Sequence, residues 1–346
     1  MQYRQLGRTN IKVSAAGLGT MTWGLQNTQQ EGFEQMDYAL EHGINFFDTA
    51  EMYAIPPSAD TYGKTESIIG NWFHKRQNRD RVILASKIAG PGLDWIRGGK
   101  SIIDKNNLIA AVEASLKRLQ TDYIDLYQLH WPNRGSYHFG KLWDFAPNFD
   151  AEAEQANFIE VLQTLQHLID QGKIRHIGLS NETAWGMMKW LQISESHDLP
   201  RMVSIQNEYS LLCRNFEPDL SEIALHEDCG LLAWSPLTRG MISGKYLNGS
   251  RPEGARLTIE TRPEHRTNEQ TDTAISAYMG LAKKHEWDVC QMALAFINSR
   301  PFVTSTLIGS TTIVQLKSNI EAFELNLSDE MQQQIAEIRR QFAMPF

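Results

Sequence analysis

Eight short apolar runs, each followed by a window of helical spacing, recur along this chain of 346 residues and leave few folds open to it. The runs are GLGTM at 17–21, NFFD at 45–48, VILASK at 82–87, IDLYQLH at 124–130, IRHIGLSN at 174–181, VSIQNEY at 203–209, GLLAWSP at 230–236 and STLIGS at 305–310. Strands this apolar are buried on both faces, as parallel strands are when helices cover the sheet. Helical patterns fill 31–42, 65–75, 105–119, 158–171, 183–195, 217–228, 271–287 and 312–324, with Asn106 and Asn107 as expected N-caps and Gly172 as a C′ residue. Eight strand–helix alternations predict an α/β chain closed as a (β/α)8 TIM barrel, with residues 1–346 as one domain. The first residues do not fit the repeat. YRQLGRTNIKVSAA reads as a β-hairpin around a Gly-Arg-Thr-Asn turn that plugs the barrel bottom. LSDEMQQQIAEIRRQF reads as an extra C-terminal helix capped by Ser328.

Charge and cysteine content narrow the function classes. The net charge is −8 with a pI near 5.7, and no Lys/Arg run occurs, so neither nucleic acid nor an acidic membrane is an expected partner. Cys213, Cys229 and Cys290 are widely spaced without a CxxC pair, which predicts no metal site and no disulfide scaffold. MQYRQLGRTN lacks an apolar leader and no stretch of about 18 apolar residues follows, so a cytoplasmic protein is expected. Self-association is left open by the sequence.

Three strand-like runs end on chemistry: Asp48 closes NFFD, Lys87 closes VILASK and His130 closes IDLYQLH, while Tyr53 follows Asp48 by five residues. The C-terminal ends of barrel strands are where such side chains converge. A phenol with an ordinary pKa of about 10 is a sluggish acid unless a cation favours its phenolate. Lys87 is placed to be that cation, Asp48 to hold Lys87 charged, and His130 to hydrogen-bond a carbonyl oxygen. The set suits proton delivery to an oxygen gaining negative charge. Tyr62, next to Gly63, is a rival to Tyr53.

No G-x-G-x-x-G follows a strand, so a Rossmann site is not expected, and GKT at 63–65 lacks the leading glycine of a phosphate loop. Residues 235–266 instead carry Arg239, Lys245, Arg251, Arg256, Arg262 and Arg266 among the glycines Gly240, Gly244, Gly249 and Gly254, a loop suited to a polyanion. Gly309, Ser310 and Thr311 then open a helix bearing Gln315 and Asn319. Trp23, Trp95 and Trp131 are expected in the wall of an apolar substrate pocket, with Tyr137, Phe139, Trp143 and Phe145 nearby.

GINFFDTAEMY, Lys87, QLH at 128–130, IGLSN at 177–181, LLAWSPLTRGMISGKY and LIGSTTIVQLKSNI together resemble the aldo-keto reductases over nearly the whole chain. The resemblance is nearest to the bacterial Tas-type reductases, with kinship to potassium-channel β subunits. It implies an NADPH/NADP+-dependent reductase of small-molecule carbonyl compounds, with Tyr53 as general acid and Asp48, Lys87 and His130 completing a catalytic tetrad. It further implies that Ser180, Asn181 and Gln206 hold the nicotinamide carboxamide and that Trp234 stacks on the ring. Gly19, Thr20, Met21 and Asp48, the segment Ser235, Pro236, Leu237, Arg239 and Gly240, and Lys245 and Arg256 then line the rest of the cofactor. Gly309, Thr311, Gln315 and Asn319 take its adenosine end and 2′-phosphate. The channel subunits lack histidine at the fourth tetrad position, so His130 favours a working enzyme over an NADPH-binding redox sensor. A barrel isomerase or aldolase using Lys87 as a Schiff-base nucleophile, with the basic loop gripping a sugar phosphate, is a third reading, disfavoured by the family spacing of Asp48 and Tyr53.

Overall fold

The computed structural model describes residues 1–146, 150–260 and 264–346. Arg262 lies outside them. Two short strands, β1 (Tyr3–Gln5) and β2 (Lys12–Ser14), form the antiparallel hairpin. Eight parallel strands then close into a barrel: β3 (Ala16–Gly19), β4 (Phe46–Asp48), β5 (Ile83–Ile88), β6 (Ile124–Leu129), β7 (Ile174–Ser180), β8 (Met202–Gln206), β9 (Gly230–Ala233) and β10 (Val303–Ile308). Each expected run supplies one of them. The helices are α1 (Gln29–Glu41), α2 (Lys64–Arg76), α3 (Lys105–Leu119), α4 (Ala151–Asp170), α5 (Ala184–Ser196), α6 (Leu220–His226), α7 (Arg256–Ile259), α8 (Glu269–Lys284), α9 (Val289–Asn298), α10 (Ile313–Glu321) and α11 (Asp329–Gln341).

Side chains alternate inward and outward along a strand, and this period builds the site from the bottom up. The lower inward layer is apolar: Phe46, Ala85, Leu126, Val203, Leu232 and Leu307 pack with Leu6 and Val13 of the hairpin. Leu6 and Val13 are fully buried, so each contributes roughly 1.5–3 kcal/mol of apolar burial to closing the barrel bottom. Gly7 is required there, because its φ is +55° and a Cβ would sit 2.5 Å from the Val203 carbonyl oxygen. Two residues further along β4, β5 and β6, the inward layer reads Asp48, Lys87 and Gln128. A dry floor thus lies directly beneath a polar layer.

The outer helices are capped largely as their sequences direct. Thr28 and Glu31 form a reciprocal capping box on α1, Ser328 accepts from the Met331 N–H at the start of α11, and Gly172 follows α4 with φ +72°. Two expectations need correction. Asp104, not Asn106 or Asn107, caps α3, its carboxylate accepting from the Asn107 N–H, which places both asparagines inside the first turn. The helical pattern at 158–171 extends back to Ala151, capped by Asp150, because AEAEQAN forms a polar first two turns with no apolar period. A further helix, α9, begins at the Asp288 cap between α8 and β10.

Candidate active site at the barrel mouth

Lys87 and Asp48 form a fully buried ion pair. The Lys87 ammonium donates to Asp48 Oδ2 at 2.7 Å and to the Thr49 carbonyl at 2.7 Å, with no exposed surface. Burial pulls the Lys87 pKa down, but the Asp48 and Tyr53 charges outweigh it and hold the ammonium above its ordinary value. Lys87 Nζ stands 5.0 Å from the centre of the Tyr53 ring, and that ring meets the His130 imidazole edge-on at 5.8 Å. The four side chains named from the sequence are therefore brought together. One expectation changes: Lys87 does not lower the phenol on balance. Burial pushes Tyr53 up, Lys87 pulls it down, and the result stays above the ordinary tyrosine value. His130 is driven well below its ordinary value by burial and by Lys87, so its imidazole is neutral and serves as a hydrogen-bonding group rather than a cation. Its Nδ1 is buried without a partner among the described residues.

Behind this group lies a layer of amides. Gln206 Nε2 donates to Asp48 Oδ1 at 2.8 Å and to Gln128 Oε1 at 3.1 Å, while Gln128 Nε2 donates to the same Asp48 oxygen at 3.2 Å. The Ser180 hydroxyl donates to the Gln206 carbonyl at 2.9 Å, Asn181 Nδ2 to the His130 carbonyl at 2.8 Å, and Trp234 Nε1 to Asn181 Oδ1 at 3.2 Å. Thr20 is tied to the Asp48 carbonyl at 2.8 Å. Sequence reasoning missed Gln128. The only signal was its place two residues before His130, in the same inward phase of IDLYQLH.

It also missed Glu51. This carboxylate is fully buried between Asp48 and Tyr53, accepting from both Arg97 Nη1 at 2.6 Å and Nη2 at 3.0 Å, from the Ala89 N–H at 2.7 Å and from the Tyr62 hydroxyl at 2.8 Å. The phenol of Tyr62 is thereby committed to Glu51, and burial with Glu51 raises its pKa to about 12. Trp95 and Trp131 pack in the cluster that holds Tyr53, Met52 and Ile96. Phe139 stacks on Trp234 with ring centres 6.3 Å apart and meets Trp131 edge-on at 6.1 Å, so three aromatics rim the mouth. Trp23 does not join them. It is fully buried outside the barrel, its indole N–H donating to Gln35 Oε1 at 3.1 Å and its ring against Gly32 of α1, because the chain after β3 turns back between α1 and α2.

The chain after β9 crosses the mouth as a belt. Ser235, Thr238 and Arg239 adopt left-handed φ values, and the Gly240 N–H closes a turn on the Leu237 carbonyl at 2.8 Å, just past Pro236. Arg266 is buried between Glu208 and Glu264, and Arg239 donates to Glu264 at 2.7 Å, which fastens both ends of the belt. Arg256 is different: its described contact is to Met21 Sδ at 3.8 Å, and burial with repulsion from Arg239 lowers its pKa to about 9. Glu260 and Glu264 offset that only in part, and a buried guanidinium close enough to act on Tyr53 fits a phosphate-bearing ligand across the mouth. Lys245 is exposed over the Tyr246 ring. Past β10, Gln315 Oε1 accepts from the Thr311 N–H at 2.9 Å and Asn319 donates to Ser310 at 3.2 Å, ordering the loop that begins at Gly309. Among the described residues no group of three or more His, Cys, Asp or Glu is placed to hold a metal ion.

Known proteins resemble this chain in sequence. The sequence profile described as the aldo/keto reductase family matches residues 15–340. Protein tas of Escherichia coli (strain K12) is 45% identical over 347 residues, covering 100% of this chain and 99% of the relative. The uncharacterized oxidoreductase YrpG of Bacillus subtilis (strain 168) is 33% identical over 98% of this chain and 96% of its own length. A protein of Arabidopsis thaliana named "probable voltage-gated potassium channel subunit beta" is 26% identical over 94% of this chain and 92% of its own. With a closed eight-stranded parallel barrel, a family profile spanning nearly every residue and a full-length relative at 45% identity, this chain belongs to the aldo/keto reductase family.

Proposed function

We propose that this chain reduces aldehydes and ketones to alcohols in the cytoplasm, using NADPH. The observation that carries the reading is the buried Lys87–Asp48 pair set against Tyr53, with a neutral His130 beside it. In the reduction, Tyr53 gives its proton to the substrate's carbonyl oxygen and is left as a phenolate. Lys87 stabilises that phenolate, and Asp48 keeps Lys87 in place and charged. Neutral His130 donates a hydrogen bond to the same oxygen and orients the carbonyl without competing as an acid. NADPH supplies the hydride to the carbonyl carbon when bound. Ser180, Asn181 and Gln206 would hold its carboxamide, Trp234 its ring, and Gly19, Thr20 and Met21 the adjoining floor. The belt from Ser235 to Arg256 would cover its phosphates, with Lys245, Gly309, Thr311, Gln315 and Asn319 around its adenosine end. Trp95, Trp131 and Phe139 favour an apolar or aromatic body on the carbonyl compound. Among the described residues no helix is long and apolar enough to cross a membrane.

The test is NADPH oxidation with 4-nitrobenzaldehyde, with NADH in parallel, in the wild type and in Tyr53→Phe. Losing one positioned general acid costs about 10²–10⁴ in turnover, with cofactor binding retained. A Tyr53→Phe variant that turns over like wild type, or a wild type that binds no NADPH, would sink the reading.

A further inference from the structure

A glutamine with no exposed surface inside a barrel strand calls for a reason, since an apolar side chain of the same length fills the space without polar atoms to satisfy. Gln128 sits in β6 directly above the apolar floor formed by Leu126 and its neighbours. The bonds around it follow from one constraint. The carboxylate of Asp48 only accepts, and its Oδ2 is taken by Lys87 at 2.7 Å, so its Oδ1 fixes the nitrogen end of both glutamines that reach it, Gln206 at 2.8 Å and Gln128 at 3.2 Å. With its nitrogen on Asp48, Gln128 turns its Oε1 to Gln206, whose Nε2 donates to it at 3.1 Å. Both N–H bonds of Gln206 are then spent, one on Asp48 and one on Gln128, and its oxygen is the end left to meet a ligand.

We propose that Gln128 is a positioning residue that locks the Gln206 amide with its Oε1 presented to the cofactor, so that the site selects a ring substituent bearing an N–H. This rests on the reductase reading above. Gln128 touches neither cofactor nor substrate; it acts through Gln206. Without its oxygen, Gln206 is held by one bond instead of two, its second N–H is unsatisfied, and the amide is free to swing and offer that N–H outward. Selection for a carboxamide over a ketone at the same ring position would then fade, while the shape of the cavity stays the same.

The experiment compares two dinucleotides by fluorescence quenching of the full chain: NADP⁺ and its 3-acetylpyridine analogue, in which a methyl replaces the carboxamide NH₂. The wild type is expected to prefer NADP⁺ by about tenfold or more, the size of one well-made hydrogen bond to a buried acceptor. In Gln128→Met, which keeps the length and loses the hydrogen bonds, the preference is expected to shrink to within about threefold. Gln128→Leu serves as the second variant. A wild type that binds both dinucleotides equally overturns the proposal whatever the variants do, as does an unchanged preference in either folded variant. A wild type that binds neither dinucleotide refutes the reductase reading itself, a separate outcome.

Discussion

Replacing Asp48 by asparagine tests the electrostatics on which the site depends. The carboxylate accepts from Lys87 on one oxygen and from Gln206 and Gln128 on the other. Asparagine has one acceptor oxygen and one NH₂, so with the glutamines oriented as they are a donor faces a donor, at Lys87 or at the two amides, and in either case Lys87 loses its counter-charge. Breaking a buried ion pair from one side typically costs about 3–5 kcal/mol. A ceiling comes from the lysine's escape, which is to lose its proton. With an ordinary pKa of about 10.4, deprotonation at pH 7 costs about 4.6 kcal/mol. The sign with pH separates this from simple loss of packing. In the wild type the folded pKa of Lys87 is raised, so its contribution is fully present below about pH 10.4 and fades only as pH rises through the higher folded value. In Asp48→Asn the folded pKa falls below the unfolded one, the unfolded chain binds the extra proton, and stability rises with pH by up to about 1.4 kcal/mol per unit. Urea denaturation at pH 7, 8 and 9 should therefore show a gap between wild type and variant of about 4.6 kcal/mol narrowing to about 2. A gap that stays constant across that range, or a variant as stable as wild type, would refute the reasoning.

Three further outcomes follow from the geometry. Gly70→Ala should destabilise by about 1–3 kcal/mol in the same urea assay despite alanine's better helix propensity, because its Cβ would lie 2.1 Å from the Arg118 carbonyl oxygen and α2 would have to leave α3; a more stable variant would contradict this. Arg256→Met should weaken NADPH and NADH binding by a similar factor of about ten or more, since Arg256 lies by Met21 and Tyr53 rather than at the adenosine end, and a loss confined to NADPH would place it on the 2′-phosphate instead. Carbonyl reduction should show no inflection between pH 5.5 and 8 from His130, which is neutral there, and should fall only above about pH 10 as Tyr53 loses its proton; an inflection near pH 6.5 that disappears in His130→Gln would show a charged imidazole.

The barrel was legible because the strands fall on short, largely apolar runs and three of those runs end on a charged or imidazole side chain that has no place in a floor. What escaped reading escaped for physical reasons. α9 is a ten-residue, mostly apolar helix with Met292 to Ile297 all buried, and an apolar stretch that short does not separate a buried helix from a buried strand. Gln128 reads as one polar residue in a strand, and only closure of the barrel brings it against Asp48 and Gln206. Glu51 looks like loop charge until Arg97, forty-six residues on, is folded over it. Trp23 follows a strand as the rim aromatics do, yet the turn after β3 carries it to the helix side. For Gln128 and Glu51 the deciding partners are remote in sequence.

The first strand of the barrel is hydrogen-bonded to the last. β3 pairs with β10, Arg4 donates to the Val303 and Asn298 carbonyls at 2.7 Å, and the Ser305 hydroxyl donates to the Ser14 carbonyl at 2.8 Å. During synthesis the strand that completes the circle is made when seven-eighths of the sheet is already out. Until it arrives, β3 and β9 are bare edges with unpaired N–H and C=O groups, open to other chains. A chain held after β9 has emerged and before Val303 is made would carry two such edges, so the aggregation hazard expected of this topology falls on the nascent chain rather than on the closed barrel.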